Sequence, residues 1–150
     1  MTVDLPDLAA TQALARRLAP HLKAGQVIAL EGGLGAGKTT FCRALVSAIL
    51  GAPTDVPSPT YTLVQTYDGP DFPIYHFDLY RLEDPAELDE IGWEDTLDGV
   101  TLVEWPGKAE TRLPAWRMTI SIEIVREHRR AKLEWSGEDW QDVAHEFADP

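Results

Sequence analysis

The residues best suited to chemistry lie in one run, Gly32-Gly33-Leu34-Gly35-Ala36-Gly37-Lys38-Thr39. It fills every fixed position of the spacing G-x-x-x-x-G-K-[ST], a phosphate-binding loop. Residues with little side-chain bulk let successive backbone N–H groups converge on an anion, and Lys38 adds a point charge suited to β- and γ-phosphates. The Thr39 hydroxyl can hold Mg²⁺ against the same phosphates. Two carboxylates further along could complete such a site. Glu104 closes the apolar run Val100-Thr101-Leu102-Val103, where a nucleotide-hydrolysing site needs an acid near the metal. It either serves Mg²⁺ and the attacking water or is an ordinary strand-end acid. Asp78 shares one face of a strand-like run with His76 and Tyr80 by the two-residue period. That face reads as a water-filled site or as a solvent-facing strand, and His76-x-Asp78 as a metal pair lacks a third ligand. The residues leave open whether Asp78 or Glu104 positions the water.

The elements that must carry these groups are legible around them. Gln26-Val27-Ile28-Ala29-Leu30 is a short apolar run of the kind buried on both faces of a sheet. After the loop, Phe41, Leu45 and Ile49 recur every fourth residue and Gly51-Ala52-Pro53 ends the pattern, as in an amphipathic helix. Strand, glycine loop and helix in that order aim a helix N-terminus, with its free N–H groups, at a phosphate. Ser58-Pro59-Thr60 follows this unit, and the Thr60 hydroxyl suits a loop that senses the γ-phosphate.

Elsewhere, Asp7 to Lys23 reads as a helix stopped by Gly25. Tyr61–Tyr67 and Ile74–Arg81 read as a hairpin around Asp68-Gly69-Pro70-Asp71. Residues 84–98 read as one or two short helices opened by Asp84-Pro85. Met118 to Ile124 and Ala131 to Trp135 alternate apolar with polar residues, a half-exposed hairpin turning near Glu127-His128. The tail from Glu138 is helical or loose. The expectation is a single α/β P-loop domain over residues 1–150, with a mixed sheet of parallel core and antiparallel hairpins flanked by helices.

Composition narrows the function classes. The chain has 150 residues, 44% of them hydrophobic, with 25 acidic against 13 basic residues and a net charge of −12. A nucleic-acid binder normally carries a basic patch. The one basic cluster, Arg126, Arg129 and Arg130, is interrupted by Glu127 and His128 and reads as a solvated hairpin tip. Cys42, the sole cysteine, reads as a small buried apolar residue. Neither a secretory segment nor a membrane span is signalled, which points to a cytoplasmic chain with no membrane partner. A guanine-recognition motif [NT]-K-x-D is absent from the sequence, which favours ATP. A small-molecule or protein kinase is the competing class.

The residues resemble one family closely, the bacterial TsaE (YjeE) ATPases of tRNA threonylcarbamoyladenosine biosynthesis. The resemblance is carried by Glu31 to Thr40, by Val56-Pro57-Ser58-Pro59-Thr60-Tyr61-Thr62-Leu63-Val64, by His76-Phe77-Asp78-Leu79-Tyr80-Arg81-Leu82, and by Val103-Glu104-Trp105-Pro106. Order and spacing agree from about residue 10 to 114. The resemblance implies an Mg-ATPase working with the TsaB and TsaD proteins, which transfer a threonylcarbamoyl group to an adenosine of certain tRNAs. tRNA would then meet this chain only indirectly, as its acidity suits. Implied nucleotide contacts are Gly33, Leu34, Gly35, Ala36, Gly37, Lys38, Thr39, Thr40, Thr60 and Trp105. Thr39 and Glu104 would serve Mg²⁺, and Asp78, Glu104 and Lys38 would be the residues required for hydrolysis. Arg81 faces away from Asp78 by strand parity and Arg112 is a weaker candidate, so the isolated chain is expected to hydrolyse slowly for want of a positive finger.

Overall fold

Seven strands form one sheet in the order β1-β7-β6-β2-β5-β4-β3, in a computed structural model that describes residues 1–54 and 63–148. The strands are β1 Thr2–Leu5, β2 Val27–Glu31, β3 Val64–Asp68, β4 Pro73–Asp78, β5 Val100–Glu104, β6 Met118–Val125 and β7 His128–Trp135. The α-helices are α1 Leu8–Leu18, α2 Lys38–Leu50, α3 Glu87–Glu90 and α4 Gln141–Phe147. β2 pairs in parallel with both β5 and β6, and β5 pairs in parallel with β4. Antiparallel pairs β3–β4, β6–β7 and β1–β7 close the sheet on either side. The fold is mixed α/β, a parallel centre flanked by antiparallel hairpins and covered by helices.

Strand parity sorts the core into two layers. Ile28, Leu30, Val100, Leu102 and Ile120 meet Leu14, Leu18, Phe41 and Leu45 from α1 and α2. Val27, Phe77 and Val103 point the other way and pack with Leu88 and Trp93. Because β2 is covered on both sides, its first four residues are all buried, as its apolar run requires. Gly32, just beyond β2, sits at φ 149°, and a Cβ there would come within 2.5 Å of the Ile122 carbonyl oxygen. A side-chain-free residue is needed for the chain to leave the sheet this close to β6.

Several boundaries differ from the sequence reading, each for a local reason. α1 opens at Asp7, whose carboxylate accepts the Ala10 N–H at 2.9 Å, but it ends at Leu18 instead of reaching Lys23. Pro20 has no N–H to continue the ladder and its ring crowds the preceding turn, so Ala19–His21 finishes as a 3₁₀ turn. β4 stops at Asp78 and not at Arg81, because the Asp78 carboxylate accepts the Tyr80 N–H and bends the chain. β1, four residues long, has too short a pattern to read as a strand from sequence and is defined by its pairing with β7. Ser58, Pro59, Thr60 and the first two residues of the strand expected over Tyr61–Tyr67 lie outside the described residues. No helix among the described residues is long and apolar enough to cross a membrane.

The tail from Glu138 is anchored to the body. Trp140 is fully buried, its indole N–H donates to the Trp116 carbonyl at 2.7 Å, and Val143 joins the core beside α1. Trp140→Ala is therefore expected to cost about 3 kcal/mol or more. Equilibrium urea unfolding measures this, and an unchanged midpoint would mean the tail does not contribute to the folded core.

Candidate functional site

Strand register assembles the site. Parallel pairing sets Leu30 of β2 opposite Glu104 of β5, and Glu104 opposite Asp78 of β4. Both acids therefore stand side by side at the C-terminal edge of the sheet, where the loop from β2 to α2 also begins. Alternation places Ile74, His76 and Asp78 on one face of β4 and Val100, Leu102 and Glu104 on the same face of β5, beneath α2. The loop ends at Gly37, φ 111°, and α2 starts at Lys38 without any side-chain cap. Its first N–H groups stay available to an anion, and the helix dipole adds partial positive charge there.

A chain of hydrogen bonds locks Glu104. The Thr39 hydroxyl donates to Glu104 Oε1 at 2.7 Å, and His76 Nε2 lies 2.6 Å from Glu104 Oε2. An ionised carboxylate can only accept, so the imidazole presents its Nε2–H. Glu104 is 2% exposed and His76 wholly buried, so the carboxylate has one orientation, facing the start of α2. Among the described residues His76 Nδ1 has no hydrogen-bond partner. Cys42 lies in the same cluster, with ligand-type atoms of Cys42, His76 and Glu104 all within 4.8 Å of one another. Burial, with Glu104 and Asp78 adding to it, pushes the Cys42 thiol well above its ordinary range, so it stays a neutral packing group, as the sequence suggests.

Lys38 is held inside the loop. Its ammonium donates to the Gly32 and Gly33 carbonyls and lies 3.4 Å from the centre of the Trp105 ring. Burial lowers its pKa from the ordinary lysine range, while the Glu104 and Asp78 carboxylates pull the other way. Trp105 adopts a left-handed backbone at φ 57°, which turns its ring under the lysine and against Tyr80, 5.0 Å away centre to centre. A non-glycine residue in that region stores strain, and such residues cluster at functional sites.

One cavity of about 550 Å³ joins these groups, and the loop from Gly33 to Thr40 lines it together with Asp78, Glu104 and Trp105. That size lies within the range of small-molecule sites. Every site residue expected from the sequence is therefore brought together except Thr60, which lies outside the described residues. Two expectations about arginines need correction. Since β4 ends at Asp78, strand parity does not govern Arg81, and Arg81 and Tyr80 line the same cavity as Asp78. Nor is Arg129 part of a solvated tip: its guanidinium donates to the Gly35 and Ala36 carbonyls at 3.0 Å each. Arg130 beside it pairs with Asp4 at 3.0 Å. Arg112 is engaged elsewhere, with Asp89 at 2.8 Å.

A family model described as "Threonylcarbamoyl adenosine biosynthesis protein TsaE" matches residues 5–132. The chain belongs to the TsaE family. A tRNA threonylcarbamoyladenosine biosynthesis protein TsaE from Rickettsia felis is 41% identical over 121 residues, covering 80% of this chain and 71% of the relative. The TsaE of Bacillus subtilis is 40% identical over 122 residues, covering 80% and 75% of the two chains. The crystal structure of Bacillus subtilis YdiB superposes with a TM-score of 0.80 at 33% identity, covering 99% of this chain and 93% of that one.

Within this TsaE-family site, sequence reasoning missed the roles of His76 and Arg129. The signal for Arg129 was available: it shares strand parity with Ala131 and Leu133, which face the core. A charged residue continuing a core-facing stripe should meet something polar, and here that is the loop backbone. For His76, removing the imidazole leaves one Glu104 oxygen buried without a donor. His76→Ala is expected to cost about 1–3 kcal/mol in chemical unfolding, with His76→Gln recovering part of the loss through its amide N–H. Equal stability of all three proteins would show that the imidazole does not hold Glu104.

Proposed function

We propose that this chain is a P-loop ATPase that binds and hydrolyses Mg-ATP in support of tRNA threonylcarbamoyladenosine biosynthesis, with the TsaB and TsaD proteins as partners. The observation that carries the reading is the 2.7 Å contact between Thr39 Oγ1 and Glu104 Oε1 at the end of the glycine loop. Two hard oxygen donors at that spot fit Mg²⁺, which accepts few protein ligands alongside phosphate oxygens. Thr39 and Glu104 would hold the ion, and bound Mg²⁺ would supply charge neutralisation for the phosphate oxygens. Lys38, already desolvated beside the loop, would meet the β- and γ-phosphates, and the loop N–H groups would cradle them. Asp78 stands next to Glu104 and supplies a second carboxylate for holding or activating water. Trp105 would lie near the nucleotide. The net charge of −12 disfavours direct tRNA contact, so a protein partner would hold the tRNA.

Three measurements test this. Lys38→Ala is expected to abolish measurable Mg-ATP binding in calorimetric titration, since a charge-assisted contact in a partly desolvated site is lost. Wild-type affinity in that variant would overturn the phosphate-loop assignment. Glu104→Gln keeps size and one acceptor but removes the charge; ATP affinity should stay within about tenfold while turnover falls by roughly 10². Equal turnover would reduce Glu104 to a strand-end residue.

Partner dependence is tested by phosphate release with and without TsaB and TsaD. Because Arg81 lines the cavity, a positive group need not come from outside, and the test is the change alone: release by the isolated chain is expected to rise when the pair is added. Fast release indifferent to the pair, or a phosphorylated acceptor in place of free phosphate, would favour the kinase class instead.

A further inference from the structure

The hairpin β6–β7 reaches the phosphate loop through a single side chain. Arg129 lies on β7, about ninety residues from the loop in sequence, yet Nε donates to the Ala36 carbonyl and Nη2 to the Gly35 carbonyl, each at 3.0 Å. Its aliphatic stem lies against Gly37, where an added Cβ would come within 3.4 Å of Arg129 Cδ. The guanidinium is a planar fork, so gripping two successive carbonyls sets the orientation of two successive peptide planes. In a trans peptide the N–H points opposite its C=O. Tying back the Gly35 carbonyl turns the Ala36 N–H inward, where it closes a turn on the Gly33 carbonyl at 3.1 Å. Tying back the Ala36 carbonyl turns the Gly37 N–H to the side opposite Arg129.

We propose that Arg129, which itself lines the cavity, is a positioning residue: it clamps the glycine loop through the Gly35 and Ala36 carbonyls so that the loop backbone is held in one conformation before any nucleotide arrives. This rests on the nucleotide-binding reading above. A glycine-rich loop has many backbone states to lose on binding, and one held in advance loses fewer. The clamp is itself seated by the sheet. Arg129 pairs in register with Leu5 of β1, Arg130 holds Asp4, and Leu5 lines the same cavity as the loop. The hairpin thus supports the loop and the N-terminal wall of the cavity from one strand. Arg129 is exposed on its other side, so its removal leaves no buried charge and should not unfold the chain.

A clamp on the loop and a finger on the transferred phosphate make opposite predictions. The loop cradles phosphates that ADP and ATP share, so losing a clamp weakens both ligands together. Losing a finger slows hydrolysis and leaves ADP affinity unchanged.

The experiment compares wild type, Arg129→Ala, Arg129→Lys and the hairpin control Arg126→Ala. The first readout is amide hydrogen exchange in the nucleotide-free protein. Exchange at the Ala36 amide, bonded to the Gly33 carbonyl, should rise about tenfold in Arg129→Ala with the unfolding midpoint unchanged, and should stay at wild type in Arg126→Ala. Unchanged exchange in Arg129→Ala overturns the clamp whether or not the protein binds nucleotide. The second readout is calorimetric affinity for Mg-ADP and Mg-ATP with steady-state hydrolysis. Both affinities should fall about tenfold or more, KM should rise, and kcat should hold within a few-fold. Arg129→Lys should recover only part of the loss because an ammonium lacks the fork. A fall in kcat with wild-type ADP affinity would overturn the clamp in favour of a finger. Absence of nucleotide binding in wild type would remove the nucleotide reading while leaving the exchange result to judge the clamp.

Discussion

Everything at the site depends on parallel pairing at the centre of the sheet. Parallel strands end at a common edge, and the register here aligns Leu30, Glu104 and Asp78 across three of them. One strand releases the glycine loop at that edge and the other two deliver carboxylates to it. A shift of one residue in β5 would swing Glu104 away from α2 and put a valine or tryptophan in its place. Register is held by what lies on both faces: Leu30 and Leu102 against α1 and α2, Val27 and Val103 against the short helices below. The two core layers thus do more than stabilise the chain, since together they hold the acids in place relative to the loop.

That position makes the polar groups interdependent. Glu104 is nearly inaccessible, and a buried carboxylate is tolerable because Thr39 and His76 occupy its two oxygens and Lys38 lies close by. The lysine in turn is supported by two loop carbonyls and the face of Trp105. Trp105 presents that face from a left-handed backbone, immediately after the strand that carries Glu104. Strain at Trp105, burial of Glu104 and the bound state of Lys38 are therefore one arrangement. A phosphate entering the cavity would compete for a lysine already committed to neutral partners, which are weaker acceptors than an anion.

How much of this could be read beforehand depended on range. The glycine loop, the apolar β2 and the amphipathic α2 follow from spacing over fewer than thirty residues, and all three stand where that spacing puts them. The helix beginning near Asp7 and the alternating β6–β7 hairpin are likewise local patterns. The errors arose where a local pattern met a competing contact. The helix from Asp7 was cut short by Pro20, and the β4 pattern was ended by a side-chain bond from Asp78 to the Tyr80 N–H. That second error carried Arg81 to the wrong side of the strand, because parity arguments fail once the chain bends.

The sequence by itself determined which groups are on offer: a glycine loop, a lysine, a hydroxyl and two strand-end acids, each recognisable from residue types at short-range spacing. Only the tertiary structure decided which distant groups meet them. His76 reaches Glu104 through strand pairing, Arg129 reaches Gly35 and Ala36 through a hairpin folded back on the sheet, and the tail reaches the core through Trp140. Such contacts depend on sheet order and register, which are set by the sum of many weak apolar contacts and not by any motif.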